Sequence, residues 1–345
     1  MFTAPLALSL LVDTPLLLWA ARRPRAKMVA LGLFGMGLSL VLAGLARGVV
    51  EFGIAFALFA PASGLACSLA QAALMDGDPD GRERNMANWA LAGTLGDLFA
   101  PICIAAAVWF SGTHRAAYLG VGALLMLLAV PLARRPLATG NEPPEDESVG
   151  ASLGAAFSNR TLLLWLAGVA LCGLLDEIFA TFGALWLRQH FPEDPDVVVK
   201  ALSAQTLGGL LGLVVLKRLL GRYSPRVLLA TACAGSIIAA VLFLGARSAW
   251  SATLFVALVG LFVSFHYPLA QAQAYRAAEG RSDLVAALGP AVTSFELLSP
   301  FVLGLIADRY GLTLALAALV AQPAGLLLIL ATRAGRRRPE SSRAR

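Results

Sequence analysis

The sequence predicts an all-α polytopic membrane protein built from two helical bundles. Three observations lead there. Of 345 residues, 58% are hydrophobic and 14% charged, and the mean hydropathy is +0.75; soluble domains carry about a quarter charged residues. The apolar runs are long enough to cross a bilayer, which takes roughly 20 residues per helix. The tetrapeptide LAQA occurs at 69–72 and again at 269–272, followed each time by a charged turn and a second apolar run. Those runs are rich in Leu, Ala, Val and Gly and lack the two-residue alternation of a membrane β-strand.

In chain order the apolar runs predict eleven transmembrane helices, near 3–20, 27–46, 49–75, 86–110, 116–134, 161–187, 201–217, 226–246, 250–275, 284–307 and 311–332. Five belong to an N-terminal bundle, 1–134, and six to a C-terminal bundle, 161–333. Between them lies a hydrophilic segment, 135–160, whose Pro, Gly, Ser and acidic residues predict a flexible linker. Residues 334–345 form a basic tail.

The 27 Lys and Arg residues orient this map. Counted over alternate connections, only Arg47, Arg115, Arg188, Lys200, Arg247 and Arg309 fall on one side; the remaining 21 fall on the other. Basic residues are retained on the cytoplasmic side, so the linker and the C-terminal tail are expected inside a cell membrane. Trp19, Trp89, Trp109, Trp186 and Trp250 fall near the expected interfaces, where indole rings collect. The net charge of +6 is thus explained by topology rather than by nucleic acid. Cys67, Cys103, Cys172 and Cys233 lie inside apolar runs without metal-ligand spacing, and the three histidines are far apart. No cofactor, metal cluster or catalytic constellation is indicated, and the chain does not read as an enzyme.

The repeat extends beyond LAQA. The strings "LARG" (45–48) and "GARS" (245–248) each end a hairpin, "ARRP" (133–136) and "RRRP" (336–339) each close a half, and Pro101 and Pro300 correspond. Matches in order at one offset, with the same membrane orientation, predict a parallel internal duplication, one plan of membrane transporters.

With two bundles, a central linker, short loops and a basic tail, the chain resembles the major facilitator superfamily (MFS) over nearly its whole length. The stretch "PLLLWAARRPRAK" (15–27) stands where that family carries a Gly/Asp/Arg signature loop. It keeps Arg22, Arg23, Arg25 and Lys27 and lacks the glycines and the aspartate. The string "GLIADRYG" (304–311) matches the signature on the expected outer side. The resemblance implies six helices per half, so the first half lacks its first helix. We expect Met1 to be an internal start or truncation point, preceded in the complete protein by one more apolar helix of roughly 20 residues.

Ionisable groups inside spans are costly in hydrocarbon and mark candidate sites. Asp97 and Glu296 occupy equivalent places in the repeat, each four residues before a proline, and are candidates for a proton site or for a structural polar contact. Asp176 and Glu177 lie mid-way along the helix that the resemblance makes cavity-lining; adjacent residues diverge by about 100° on a helix, so one is expected to face the pathway. Asp13 is mid-span in the first helix, where loss of a preceding helix would remove a partner. Gln71, Gln271 and Gln273 stand near the cytoplasmic ends of two further cavity-type helices, with His266 and Tyr267 a turn deeper. They can bind solute or bridge helices, bridging being favoured for the repeat-related Gln71 and Gln271. Arg22, Arg23, Asp76, Arg82, Arg84, Arg281 and Asp283 form mixed-charge turns that could latch a cytoplasmic gate or simply be solvated.

The function these features imply is a secondary transporter moving a small solute across the bilayer by alternating access, with protons as the candidate coupling ion. No Lys or Arg lies mid-span, which favours a cationic or neutral solute over an anion. The alternative is a non-transporting membrane partner or sensor on the same fold.

Overall fold

The computed structural model describes residues 3–140, 149–293 and 295–332. The tail at 334–345, the Glu296 side chain and the middle of the linker lie outside the described residues.

Thirteen helices follow one another without a strand among the described residues: α1 (Thr3–Ala20), α2 (Arg25–Leu45), α3 (Val49–Gly77), α4 (Arg82–Ser111), α5 (Arg115–Leu132), α6 (Val149–Ser158), α7 (Arg160–His190), α8 (Val197–Leu219), α9 (Pro225–Leu244), α10 (Ala249–Ala277), α11 (Ser282–Thr293), α12 (Phe295–Tyr310) and α13 (Leu312–Ala331). All but α1, α6, α11 and α12 are individually long and apolar enough to cross a bilayer, which makes nine among the described residues. Eleven crossings remain the expectation from sequence, with α1 and the α11–α12 stretch at the other two positions. In the segment expected to be a flexible linker, α6 forms, because 149–158 is an Ala-, Gly- and Leu-containing run with good helix formers on both sides of Gly154.

The duplication is written into the helix boundaries. Helices α2 and α9 begin at 25 and 225, α3 and α10 begin at 49 and 249 and end at 77 and 277, and α4 and α11 begin at 82 and 282. Even the residues before α3 and α10 share an extended backbone, Gly48 at φ −149° and Ser248 at φ −143°. In the second copy Ser248 can also cap its helix, accepting from the Ser251 amide.

By contacts the chain forms two compact units. Unit 1 comprises 1–159 together with 275–294, and unit 2 comprises 160–274 together with 295–345. The second copy of the repeat therefore contributes a segment, the end of α10 and the whole of α11, to the unit built by the first.

Within unit 1, α2 is the central element, packed on α5 and α3. Small residues permit the approach: a Cβ on Gly37 would meet the Gly122 carbonyl, and a Cβ on Gly122 would meet that of Gly37. Helix α4 differs. Its first turns are buried through Glu83, Met86 and Ala87, but from Leu95 onward it is exposed around almost its whole circumference, with Trp109 and Phe110 over 80% accessible.

Within unit 2, α8 and α10 make the closest pair. A Cβ on Gly208 would run into the Ala257 carbonyl, one on Gly212 into that of Leu261, and one on Gly260 into that of Gln205. An aromatic cluster closes one end of the same unit. Trp186 packs on Phe243 at 4.7 Å between centroids, Phe243 on Phe179 at 5.2 Å, and the indole N–H donates to Thr313 Oγ1 at 3.1 Å.

Candidate functional site

Among the described residues two polar constellations occur in this apolar scaffold, one in each unit. In unit 1 the ends of α3 and α10 and the starts of α2, α4 and α11 come together. The Arg25 guanidinium donates to Asp76 Oδ2 at 2.5 Å, to the Ala138 carbonyl at 2.7 Å and to Ser282 Oγ at 3.2 Å. Ser282 donates in turn to Asp76 at 2.5 Å. Beside it, Arg276 pairs with Glu83 at 2.9 Å, and the Tyr275 hydroxyl donates to Gln71 Oε1 at 3.1 Å. Asn159 donates to the Ala277 carbonyl at 2.7 Å, and Arg82 to that of Met75 at 3.3 Å. Arg281 and Asp283 form a local pair at 3.0 Å.

The Asp76 and Arg25 side chains are only 3% and 9% accessible. An ion pair removed from water in this way contributes little net stability, because desolvation offsets the attraction; losing one partner is expensive. Its strength lies in fixing register. Here it joins two first-copy helices to the start of α11. Further along α11, the Ala287 carbonyl accepts from Thr14 of α1 at 2.9 Å.

Asp13 also lies in unit 1 and is buried, at 2% accessible. It stands against Gly64, where a Cβ would be 3.1 Å from its Oδ2. Gly64 opens a π-helical turn, Gly64–Ser68, inside α3, and Gly32 of α2 packs on the same turn against the Ala62 carbonyl and Ala66 backbone. The second copy is also interrupted here: the turn at 264–265 divides α10 just before His266.

In unit 2 the polar groups gather at breaks in three helices. Helix α7 opens at 172–173 and runs through a π-helical turn, Leu174–Ile178; α10 is divided at 264–265, and α13 at 319–320. Gln322, fully buried, spans all three breaks. Its Oε1 accepts from the Leu175 amide at 2.6 Å, and its Nε2 lies 2.8 Å from His266 Nδ1. Because Oε1 faces an N–H, Nε2 is the donor, Nδ1 the acceptor, and the His266 proton sits on Nε2. From α8, Gln205 Nε2 donates to the Asp176 carbonyl at 3.3 Å. A π-helical turn interrupts the regular backbone ladder, and two side-chain amides from neighbouring helices take up groups at its edges. Asp176 and Glu177 are both exposed on that turn.

The family model "Major Facilitator Superfamily" matches residues 1–294. The chain belongs to the major facilitator superfamily. It is a multi-pass membrane protein. Among solved structures it is similar to FucP, the E. coli fucose:proton symporter, in the outward conformation, with TM-score 0.75 and 15% identity over 95% of this chain and 86% of that one. It is also similar to the human organic anion transporter MFSD10 (TM-score 0.73, 17% identity, 94% and 82% covered). A third is a bacterial homologue of the iron transporter ferroportin in an outward-facing state (TM-score 0.73, 14% identity, 95% and 87% covered). At these identities the likeness is one of fold. No curated protein matches the chain.

Against this MFS fold the sequence-derived candidates separate. Asp76, Arg82, Arg281, Asp283 and Gln71 fall in or beside the unit 1 cluster. Arg22, Arg23 and Arg84 are exposed instead, Arg23 lying 5.0 Å from the Trp19 ring. In unit 2, His266, Asp176 and Glu177 stand at the joined breaks. On α10, Gln271 is buried, and Gln273 and Tyr267 are half-buried, each engaged with neighbouring groups. Asp97 is exposed on the open part of α4. The residues that sequence reasoning passed over as site candidates are Arg25, Glu83, Tyr275, Arg276 and Ser282 in one cluster and Gln205 and Gln322 in the other. The glutamines carried a usable signal, a polar amide inside an apolar run.

Proposed function

We propose that this protein is a secondary transporter that moves a small solute by alternating access, with protons as the coupling ion. The observation that carries the reading is the buried cluster around Arg25, Asp76 and Ser282. It ties the first-copy helices to the second-copy segment 275–294 with a few directional bonds, beside the apolar packing of α11 on α1 that buries Leu284, Val285, Ala287 and Leu288. Bonds of this kind can be exchanged for water when the ends separate, and the symmetry of the repeat supplies a second arrangement of similar energy. The cluster is thus the latch of a gate at the membrane face expected to be cytoplasmic.

The solute is cationic or neutral. Mid-span charges among the described residues are carboxylates, Asp13, Asp97, Asp176 and Glu177, whereas an anion calls for a guanidinium or ammonium at depth. A proton is the economical partner for such groups, since a carboxylate can take up and release one without any further ligand. That FucP is a proton symporter is consistent with this reading.

The test is reconstitution into proteoliposomes containing a pH-reporting dye, followed by gradients of single neutral polyols, sugars and organic cations. At least one solute should drive proton movement that is abolished in Asp176→Asn/Glu177→Gln. A folded, correctly oriented protein that moves none of these solutes, with or without a proton gradient, would overturn the reading.

A further inference from the structure

We propose that Gln322 and Gln205 are a pair of positioning residues that set the carboxylates of Asp176 and Glu177, with Gln322 linking that turn to the break in α10 through His266. The inference rests on the transporter reading for the role of the two acids, while its geometry stands independently of it.

The argument begins with the backbone. A helix satisfies its own amides and carbonyls, but a break followed by a π-helical turn leaves some to other partners, and in a membrane span no bulk water is at hand. At 174–178 two amide side chains serve. Gln322 Oε1 takes the Leu175 N–H from one flank, and from the other Gln205 Nε2 gives to the Asp176 carbonyl, which also accepts from the Phe179 amide. Leu175 itself is fully buried, whereas the next two side chains, Asp176 and Glu177, emerge to the exposed side. Gln205 holds the peptide that joins Asp176 to Glu177, and Gln322 holds the peptide on the N-terminal side of Leu175, so the two anchors bracket the backbone that aims the carboxylates.

The coupling comes from the second half of the Gln322 amide. Its NH2 group is committed to His266 Nδ1, and His266 is the first residue of α10 after the 264–265 turn. Gln205 is tied to the same helix from the other side, because Gly260 packs so closely on its backbone that a Cβ would strike the Gln205 carbonyl. A change of bend in α10 thus displaces both anchors of the α7 turn. The same amide that satisfies the backbone transmits the motion.

The experiment uses the full chain in nanodiscs and needs no solute. Deuterium exchange is followed in peptides covering 174–178, and carbodiimide labelling of Asp176 and Glu177 is read as their ratio by mass spectrometry. In Gln322→Leu, exchange at Leu175 should rise about tenfold with loss of one hydrogen bond, and the labelling ratio should shift severalfold. Gln322→Glu keeps the acceptor for Leu175 and should restore slow exchange. His266→Phe leaves the Leu175 bond in place but removes the link, so its ratio should shift with little change in exchange. Gln205→Leu should shift the ratio too. Should Gln322→Leu fail to fold, Gln205→Leu and His266→Phe carry the test. Unchanged labelling ratios in whichever of Gln322→Leu, Gln205→Leu and His266→Phe fold would overturn the proposal, even with exchange raised, because the glutamines would then be structural only. Loss of transport in the reconstituted wild type would count against the function and leave this result untouched.

Discussion

Arg25 and Asp76 are 51 residues apart in the chain and meet at 2.5 Å with both side chains almost closed to solvent. Asp76 is also the acceptor for Ser282, 206 residues away, so one carboxylate holds three chain segments. Asp76→Ala should leave a guanidinium buried without its counter-charge, at a cost of about 3–5 kcal/mol to the closed arrangement. The helices are expected to part there. A cysteine placed at Ala72, fully buried in the wild type, should then label with a water-soluble maleimide at least tenfold faster. Ser282→Ala, which removes a single neutral donor, should have a smaller effect. Equal labelling rates in wild type and Asp76→Ala would refute the latch.

Glycine contacts give a second prediction with an internal control. Gly208→Ala and Gly212→Ala drive a methyl into carbonyls of α10, and such overpacking costs typically 1–3 kcal/mol. Gly93→Ala on α4 meets nothing within 4 Å and should be neutral or stabilising by roughly 0.5–1 kcal/mol, the ordinary helix preference for alanine. Thermal unfolding in detergent should rank the first two below wild type and the third at or above it. The reverse order would show that the α8–α10 pair is looser than its geometry.

The third prediction concerns orientation. The eleven-span expectation assigns 21 of the 27 basic residues to one face, so the tail should be cytoplasmic. In a cysteine-free background, Pro195→Cys should label from outside intact cells, and Ser341→Cys only after permeabilisation. Labelling of position 341 in intact cells would invert the topology.

The fourth concerns protons. If Asp97 or its repeat equivalent Glu296 carries the coupling proton, Asp97→Asn or Glu296→Gln should abolish uptake driven by a pH gradient and preserve solute exchange. Unchanged pH dependence in both variants would leave these acids a structural role.

Much of the fold was legible because it depends on local composition. Apolar runs located α2 and α9 to within two residues, and the repeat marked by LAQA and Pro101/Pro300 agrees with boundaries recurring at 25/225 and 49/249. The breaks were not legible. Gly64–Ser68 and Leu174–Ile178 are as apolar as the turns around them, apart from Asp176 and Glu177, and what sets them apart is tertiary: Asp13 against one, Gln322 and Gln205 on the other. The polar cluster of unit 1 was half legible. The loop 22–27 was recognised as basic, yet which of its four cations turns inward depends on where α11 and the 138–140 backbone come to rest. Arg25 begins a helix and faces them; Arg22 and Arg23 precede it and face away.

Unit 1 is assembled from pieces separated by more than a hundred residues, for its α11 lies beyond the whole of 160–274. During synthesis, therefore, the first bundle reaches the bilayer before the strand of chain that completes it has been made. Until residue 282 emerges from the ribosome, Arg25 and Asp76 have no Ser282, and α1 faces no α11. Long-range closures of this kind come late and leave earlier intermediates exposed. A chain arrested near 274 should persist as a protease-sensitive species, and the arrival of 275–294 becomes a quality checkpoint for 1–159.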